Sequence, residues 1–416
     1  MSPLLKIAAR NLAKNRRRSL YALLAIALGF TAVNVFGGFT RYMNTSLRDG
    51  FIYSQGQGHL TVFKRGFLTR GTLDPVRYLL APEEAAAIEA RLHDVPGVAL
   101  VTPQLHISGL LSNGDASTVF LAAGRVPSAM EAMAARATGM LRRLRLYEGR
   151  SLRDDTPTGI GVSTGLARAL DLDLGSGAVA VAPTVEGQVN ALDAEVFQLF
   201  ESPLDVLNDK LVLVPLAFAQ DLYDTRSVDR LTVLLERTAD TGAARDRLAA
   251  ALAPAGIDTE IKTWEELSLL YTKVRRMFDL IFAFLFVIVL VISVMSVVNT
   301  INMAVMERIR EIGTLRALGM RRGRIVTLFA VESGLLGVLG SLLGGVLTLL
   351  VWLAIAWKEP TWVPPLITKR VPLEVHLVPE YLAISFLFLL LLTIGAACFP
   401  ARRAVRKSIV DALGHV

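Results

Sequence analysis

The sequence predicts an α-helical membrane domain of four transmembrane helices, with a mixed α/β extracytoplasmic domain inserted between helices 1 and 2. The chain of 416 residues is 53% hydrophobic and 19% charged, whereas soluble globular chains carry about 25% charged residues. The apolar excess is concentrated in four charge-free stretches, Leu20–Phe39, Leu280–Ile301, Ser333–Trp357 and Tyr381–Phe399. Each can cross a bilayer, which takes about 20 residues of helix.

These stretches divide the chain into nine predicted segments. They are a cytoplasmic amphipathic N-terminal helix (1–18), helix 1 (19–40), the outward α/β domain (41–277), helix 2 (278–301), a cytoplasmic connector (302–324), helix 3 (325–357), an outer loop (358–380), helix 4 (381–399) and a cytoplasmic tail (400–416).

Basic residues are unevenly distributed among the predicted loops. Residues 1–18 hold six, the connector holds six and the tail holds four, whereas residues 358–380 hold three. Lys and Arg are enriched in cytoplasmic loops, so both termini and the connector are predicted to be cytoplasmic. The net charge of +7 then reflects topology. Without a basic patch interleaved with aromatic residues, it does not indicate nucleic-acid binding.

The first apolar stretch is interpreted as an uncleaved anchor. A cleaved signal peptide is the alternative, but the basic leader is long and no small-residue cleavage site follows the stretch. In the leader, Leu4, Leu5, Ala8 and Leu12 share one helical face. This predicts a helix along the inner membrane surface, with a solvated basic tail as the alternative.

Residues 41–277 show the short, mixed pattern of an α/β domain. Pro82–His93 is predicted to be a helix because Pro stands at its start. Strands at 98–102 and 106–111 are predicted to be separated by Pro103. A helix over Trp264–Met277 has no Pro or Gly before the second apolar stretch, so a continuous helix is predicted to link the domain mechanically to that stretch.

One motif suggests an enzyme. Residues 161–165 (GVSTG) match the G-x-S-x-G nucleophile elbow, with Ser163 as the nucleophile. A working triad also needs a His held by a carboxylate, and His59, His93 and His106 belong to no recognisable partner motif. A turn before a surface helix is therefore the preferred interpretation.

The sequence predicts no metal or nucleotide site. The histidines lack metal-ligand spacing, and the single cysteine, Cys398, cannot form an internal disulfide. The chain also contains no G-x-x-x-x-G-K-[ST] loop.

The connector is the most informative segment. Val305, Ile309, Ile312 and Leu315 recur on one face at helical spacing, and Gly319 follows where a helix would close. This predicts a short amphipathic helix. From periodicity alone, a helix that docks on a soluble partner and an interfacial helix that only caps the loop are equally open.

The third apolar stretch carries small residues at spacings that favour close helix packing, within the subunit or across a dimer. They are Ser333, Gly337, Gly340, Ser341, Gly344 and Gly345. Glu332 precedes them and is predicted to pair with an Arg at the cytoplasmic edge, with Arg324 about two turns away.

The segment ERIREIGTLRALG at 307–319 resembles the signature of the FtsX-like permeases, a group that includes the MacB-like and lipoprotein-releasing permeases of type VII ABC transporters. Residue Ile409 stands where many relatives have Pro. A resemblance to the closing motif of the family occurs at PARRA (400–404) with Ala412-Leu413. Weaker resemblances to the MacB-like periplasmic core domain occur at GHLTV (58–62) and GLARAL (165–170).

The resemblance implies a permease subunit that performs no chemistry itself. A separate cytoplasmic ABC ATPase, which binds ATP and Mg, is implied to grip a coupling helix in the connector. Its closure would move the outward domain and act on a lipoprotein, lipid-like molecule or peptide outside the membrane, by mechanotransmission. The implied coupling residues are Glu307, Arg308, Arg310, Glu311, Leu315, Arg316, Leu318 and Gly319.

The resemblance also implies further partners in a bacterial inner membrane. These are a second permease subunit, either a copy or a sister chain, a periplasmic accessory or acceptor protein, and membrane lipid. Two other functions stay open. An FtsX-like regulator would use the same coupling to activate a cell-wall hydrolase, and a membrane-anchored hydrolase would use Ser163.

Overall fold

A computed structural model describes residues 3–14, 16–71, 73–137, 147–202, 205–363 and 370–406. Its contacts divide the chain into two units. The helical unit comprises Met1–Met43, Val274–Pro360 and Leu373–Val416, and the sheet unit comprises Asn44–Lys273 and Thr361–Pro372.

Four helices in the described part of the chain are long and apolar enough to cross a membrane, which confirms the predicted architecture. They cover Ser19–Ser54, Tyr271–Glu307, Arg322–Lys358 and Pro379–Ala404. The α-helices in chain order are α1 (Pro3–Lys14), α2 (Arg16–Asp49), α3 (Phe67–Arg70), α4 (Pro75–Tyr78), α5 (Pro82–His93), α6 (Pro127–Ala134), α7 (Thr164–Ala169), α8 (Leu216–Leu222), α9 (Thr241–Leu252), α10 (Trp264–Leu267), α11 (Leu269–Glu307), α12 (Ile309–Ala317), α13 (Arg322–Lys358) and α14 (Pro379–Ala404).

The long helices extend beyond their apolar stretches. α2 continues to Asp49 and is followed by one π-helical turn, Gly50–Ser54. α11 has 39 residues, which is about 58 Å of helix at 1.5 Å per residue. The hydrocarbon core of a bilayer is about 30 Å thick, so a large part of α11 lies outside it.

The sheet unit is built on one mixed sheet in the strand order β10-β1-β9-β2-β3-β8-β5-β7-β4, with β6 paired to β2 and β7. β3 pairs in parallel with β8, and β5 in parallel with β7. The mixed α/β class of this domain is therefore confirmed. The strands are β1 (Leu60–Lys64), β2 (Val98–Ser112), β3 (Ser117–Arg125), β4 (Tyr147–Gly149), β5 (Gly159–Ser163), β6 (Gly177–Pro183), β7 (Val189–Phe200), β8 (Leu211–Pro215), β9 (Arg230–Leu235) and β10 (Thr259–Thr263), with a separate pair β11 (Thr361–Trp362) and β12 (Val371–Pro372).

The predicted break at Pro103 is wrong, because β2 runs through it without interruption. Pro103 pairs with Leu231 of β9 on one side, and the pairing of β2 with β3 on the other side begins only at Gln104. Proline lacks an N–H donor and is tolerated in a strand where no partner needs that donor. The missing neighbour at this point explains why one long strand forms.

The predicted continuous helix over Trp264–Met277 is also wrong. α10 ends at Leu267, and Ser268 has a non-helical conformation, with φ −98° and ψ 81°. The hydroxyl of Ser268 accepts the backbone N–H of Tyr271 at 3.2 Å, which makes Ser268 the cap of α11. Serine prefers this capping position over a helix interior because its side chain can replace a missing backbone acceptor.

Candidate functional site: the connector and its supports

The connector contains a short helix that is separate from both of its neighbours. α11 ends at Glu307, and Arg308 leaves the helical conformation with φ −116° and ψ 17°. α12 then runs from Ile309 to Ala317, and α13 begins at Arg322. The predicted amphipathic segment is thus divided, since Val305 and Glu307 belong to α11.

Gly319 ends α12. Its φ of +89° is a left-handed conformation that glycine adopts without steric cost. The N–H of Gly319 donates to the carbonyl of Arg316 at 3.0 Å, and the N–H of Met320 donates to the carbonyl of Leu315 at 3.0 Å. These two bonds form the Schellman motif, which satisfies carbonyls that the helix leaves without a partner.

The apolar face of α12 packs inside the helical unit. Ile309 and Ile312 are both buried. Ile312 belongs to a hydrophobic cluster with Val305 of α11 and with Ile325 and Phe329 of α13. Apolar contacts therefore fix the connector to the helices before and after it in the chain.

The opposite face of α12 is exposed and carries both signs of charge. Leu318 is 79% exposed beside it. Charged groups oppose burial in hydrocarbon, so this face meets water or protein. We call it the docking face. It consists of the exposed Arg310 and Glu311 of α12, Glu307 just before this helix and Leu318 just after it. The predicted Leu315 and Arg316 are half-buried and lie nearer to the apolar face.

Arg308 is a further predicted coupling residue that lies away from the docking face. Its side chain is 13% exposed, and its Nη1 lies 3.6 Å from Oε2 of Glu332, whose side chain is 6% exposed. The Nδ2 of Asn11 in α1 donates to the same Oε2 at 3.4 Å. The non-helical conformation at Arg308 allows its side chain to lie toward α13 rather than on the exposed face of α12.

The predicted pairing of Glu332 with an Arg is confirmed, but the partner is Arg308 and not Arg324. The two residues are separated by eight positions, which rotates Arg324 by about 80° around α13 relative to Glu332, and Arg324 is exposed. The partners Arg308 and Asn11 lie far from Glu332 in sequence. No local spacing indicated either of them.

The predicted small residues of α13 contact two different helices of the same unit. A Cβ added to Gly340 would lie 2.7 Å from Ile26 of α2, and one added to Gly344 would lie 2.7 Å from Phe30 of α2. A Cβ on Gly337 would instead overlap the hydroxyl of Thr393 in α14. Glycine at these positions lets the backbones approach closely.

The remaining small residues differ in burial. Ser333 and Ser341 are buried. Within the described residues, an added Cβ on Gly345 would meet no atom within 4 Å outside the backbone of its own helix, so the prediction that it packs with the others is not met there. It lies one residue beyond Gly344, and that step of about 100° turns it away from α2.

Ser163 does not form a nucleophile elbow in this structure. It is fully buried, and within the described residues its Oγ has no hydrogen-bond partner. Gly165 is needed for packing, because a Cβ there would overlap the carbonyl oxygen of Asn208. His106 on β2 is separated from β5 by β3 and β8, which corresponds to roughly 14 Å across the sheet.

His106 has a carboxylate partner that no motif indicated. Its Nδ1 lies 2.9 Å from Oδ2 of Asp229, which also binds Arg230 at 2.9 Å. Burial alone would raise the pKa of Asp229, but Arg230 and His106 outweigh it and hold that pKa below its usual value. Burial lowers the pKa of His106 despite the carboxylate. The group joins β2 to β9 and has the character of a structural network.

His59 is another histidine of the sheet unit, and it is fully buried. Its Nδ1 accepts the backbone N–H of Leu235 at 3.0 Å, so its Nε2 is the donor to the hydroxyl of Thr238 at 2.9 Å. Burial, assisted by the positive charge of Arg48, lowers its pKa to about 4. His59 is therefore neutral at pH 7.

The described residues contain no group of three or more His, Cys, Asp or Glu side chains arranged to hold a metal ion. Cys398 is a half-buried free thiol.

Comparison with known families covers both units. Residues 19–251 match the MacB-like periplasmic core domain, and residues 283–409 match the FtsX-like permease C-terminal domain. The first match covers more than half of the chain.

Individual relatives are more distant. The chain is 29% identical over 190 residues to the macrolide export ATP-binding/permease protein MacB of Escherichia coli K12 and to that of Shigella sonnei. Each alignment covers 45% of this chain and 28% of the relative. The chain thus matches less than a third of the length of these relatives, and their ATP-binding part is not covered.

Two solved structures resemble this chain weakly. The periplasmic region of MacB from Actinobacillus actinomycetemcomitans has a TM-score of 0.38 at 16% identity, covering 51% of this chain and 91% of that structure. The extracellular domain of the transporter YknZ from Gram-positive bacteria has a TM-score of 0.35 at 16% identity, covering 50% and 100%. On the two family matches, the chain belongs to the FtsX-like permeases that carry a MacB-like periplasmic core domain.

Proposed function

We propose that the chain is the permease subunit of a type VII ABC transporter and that a separate ATPase docks on the connector. Family membership supports the permease part. The observation that carries the coupling part is the structure of α12, whose apolar face is buried in the helical unit while its charged face is exposed. A helix fixed on one side and open on the other suits force transfer from a soluble partner.

The proposed topology follows from the order of the segments. The periplasmic core domain match ends at residue 251, before α11. If each of the four spans crosses once, the connector and both termini lie on the opposite side from this domain. The six basic residues of the connector agree with a cytoplasmic position, in a bacterial inner membrane.

The proposed mechanism is mechanotransmission. A push on the docking face reaches α11 and α13 through the buried contacts of Ile312. α11 is helical without a break from Leu269 to Glu307, and its first residues belong to the sheet unit. The same helix therefore carries residues of both units, which supports transfer of movement along it.

We further propose that the substrate is acted on outside the membrane. The four apolar stretches carry no charged side chain, so they lack the polar ladder of an aqueous path. A lipoprotein, a lipid-like molecule or a peptide suits extraction or export of this kind, and the macrolide export named for the relatives supplies a further substrate to test. ATP and Mg would be bound by the ATPase, and this chain would need no cofactor.

The complex would contain two permease subunits, identical or sister chains. A periplasmic accessory or acceptor protein and membrane lipid would complete its partners. Nucleic acid has no place in this proposal.

The experiment is purification of the chain from its native membranes with a mild detergent, followed by identification of the proteins and lipids that accompany it. An ABC ATPase is the expected companion. Its absence from wild-type preparations that retain other membrane partners would contradict the proposal. A cell-wall hydrolase bound through the sheet unit would instead favour the regulator.

The docking face is tested with Glu311→Arg and Leu318→Asp. Both residues are exposed, so folding is expected to survive while the ATPase is lost from the preparation. Glu89→Arg, on the exposed face of α5, is the matched control and should keep it. Retention of the ATPase by both connector variants would remove the docking face from the proposal.

A further inference from the structure

Three separate segments of the helical unit meet at one carboxylate. Glu332 lies in α13, Arg308 is the non-helical residue between α11 and α12, and Asn11 lies in α1. Both Arg308 and Asn11 approach the same oxygen, Oε2 of Glu332. The carboxylate thus has a donor from the junction of the connector and another from the N-terminal helix.

This carboxylate cannot be explained as a solvated surface charge. Glu332 is followed by the buried Ser333 and Gly334, and its own side chain is 6% exposed. A buried charge in a membrane protein is costly unless a partner compensates for it. Arg308, itself only 13% exposed, supplies the opposite charge, so each side chain depends on the other.

Arg308 lies at the junction between α11 and α12, where the ion pair can oppose bending. It is the residue at which the helical conformation is interrupted between α11 and α12, with a φ of −116°, and its N–H donates to the carbonyl of Val305, only three residues back, at 3.2 Å. A junction of this kind can bend when α12 is pushed. An ion pair from the junction to α13 opposes that bending.

Apolar contacts from α1 enclose the same place. Ala8 is fully buried, and the half-buried Leu12 packs against the cluster that contains Ile312 and Phe329. α1 therefore packs at the same place and also contacts the carboxylate, through Asn11.

We propose that Arg308 and Glu332 are a positioning pair that locks the junction between α11 and α12 to α13, so that the connector and α13 move as one body when an ATPase pushes the docking face. The movement part of this inference rests on the proposed function. The locking part rests on the geometry of the helical unit alone.

The experiment measures the distance between spin labels on Thr314→Cys in α12 and Thr327→Cys in α13, in the full chain with Cys398→Ser. Both threonines are exposed. The chain is examined alone in lipid nanodiscs, and with its co-purified ATPase, first without nucleotide and then trapped with ATP and vanadate. In the otherwise unchanged chain, a narrow distance distribution that stays the same in all three states is expected.

The test variant is Arg308→Met with Glu332→Gln, which removes both charges together and leaves neither buried charge without its partner. Its distance distribution is expected to become about twofold wider, because the junction can now sample several orientations on a timescale that label distances record. Trapping with ATP and vanadate should then shift the mean distance, while the ATPase still co-purifies. The single variant Arg308→Lys keeps a positive charge beside Glu332 and should show a narrow distance distribution like that of the otherwise unchanged chain.

The matched control is Arg275→Met with Asp279→Asn. This i,i+4 pair also belongs to α11, with the Nε of Arg275 3.9 Å from Oδ2 of Asp279, but its side chains are 49% and 61% exposed. Its removal should leave the distances unchanged.

Each contrary outcome has a defined meaning. An unchanged distribution in the Arg308→Met/Glu332→Gln chain alone would overturn the lock. A change of mean distance on trapping in the otherwise unchanged chain would overturn the common movement, and this measurement does not depend on the variant folding. Failure to recover any ATPase would count against the proposed function, and the nanodisc comparison would still decide the lock.

Discussion

Each unit of the molecule buries a carboxylate, and the two units hold it differently. Asp229 of the sheet unit is 2% exposed and has partners at 2.9 Å from Arg230 and from His106. Glu332 of the helical unit is 6% exposed, and Arg308 lies 3.6 Å away. The first group is tightly bonded between paired strands, whereas the second bridges segments that only pack against each other.

The difference indicates what each interior is built to do. In a sheet, the backbone bonds of β2 and β9 already fix the distance between the charged groups. Among the described residues of the helical unit, side-chain packing and the close approach of α13 to α2 at Gly340 and Gly344 take the place of the bonds of the sheet. The sheet unit should therefore lose stability when its charges are disturbed, and the helical unit when its spacing is disturbed.

The largest effect is expected for Asp229→Ala. The substitution leaves Arg230 without its carboxylate in the interior, and breaking a buried ion pair by removing one partner costs about 3–5 kcal/mol. Hydrogen exchange of the sheet unit in the purified full chain measures the loss. Asp193→Ala, an exposed position on β7, should change stability by less than about 0.5 kcal/mol. Equal losses of stability from the two substitutions would show that the buried ion pairs of Asp229 contribute no more than an exposed carboxylate.

A pH titration should reveal the buried neutral His59. Its pKa is about 4 in the folded chain, compared with 6.5 for an unperturbed histidine. Between these values the unfolded chain binds a proton that the folded chain does not, so the free energy of unfolding falls as the pH falls. The loss develops from about pH 6.5 to about pH 4 and reaches about 3 kcal/mol.

His59→Gln provides the control for this titration. It removes the titrating group and should flatten the dependence of stability on pH in that window. Loss of stability from Asp229 begins only below about pH 5, where its carboxylate in the unfolded chain starts to bind a proton. It continues to lower pH because the fold lowers the pKa of that carboxylate. A slope that survives His59→Gln unchanged would assign the effect to other groups.

Helix spacing is tested with Gly340→Leu. The new side chain meets Ile26 at the contact with α2, and overpacking of this kind costs about 1–3 kcal/mol. Thermal unfolding in detergent micelles is the measurement. Gly345→Leu has open space at its Cβ and is expected to be neutral. A loss at Gly345 as large as that at Gly340 would point to an intermolecular contact of the Gly345 face.

The smallest effect is expected for Gly319→Ala. A left-handed conformation costs a residue with a Cβ about 1–2 kcal/mol, and here the cost falls on the end of α12 alone. Hydrogen exchange of the backbone amides at positions 319 and 320 measures this local loss of stability. Gly323→Ala, near the start of α13 with a free Cβ position, should be neutral or slightly stabilising. Faster amide hydrogen exchange in Gly323→Ala but not in Gly319→Ala would contradict the assigned role of Gly319.

Much of the fold is predictable from local patterns. Pro82–His93 and Arg230–Leu235 are elements whose signals, a Pro at a helix start and a β-branched apolar run, act within a few residues. The strand Val189–Phe200 lacks such a signal, although its buried Ala194, Val196 and Phe200 alternate. Its charged residues obscure the pattern, and pairing with β5, β6 and β4 compensates for them.

The candidate site is predictable only in part. The helix of the connector and its end at Gly319 follow from periodicity and from the conformational freedom of glycine. The partners of Glu332 do not, because Asn11 and Arg308 approach it through tertiary packing. Ser268 shows the same limit, since a serine hydroxyl can cap one helix or lie inside another. The break at Ser268 accompanies a tertiary contact between Trp264 and Tyr271, with ring centroids 4.7 Å apart, that local spacing does not reveal.

The neighbours of β1 have a consequence for biosynthesis. The first strand of the large sheet, β1, lies between β9 and β10, the last two strands of that sheet in the sequence. A nascent chain that has delivered β1 to the far side of the membrane must therefore wait for residues 230–235 before that strand gains its first partner, and for residues 259–263 before it gains the second. Chaperones that shield exposed strand edges should bind this chain during the interval, because pairing between distant segments is slow and leaves such edges open to aggregation.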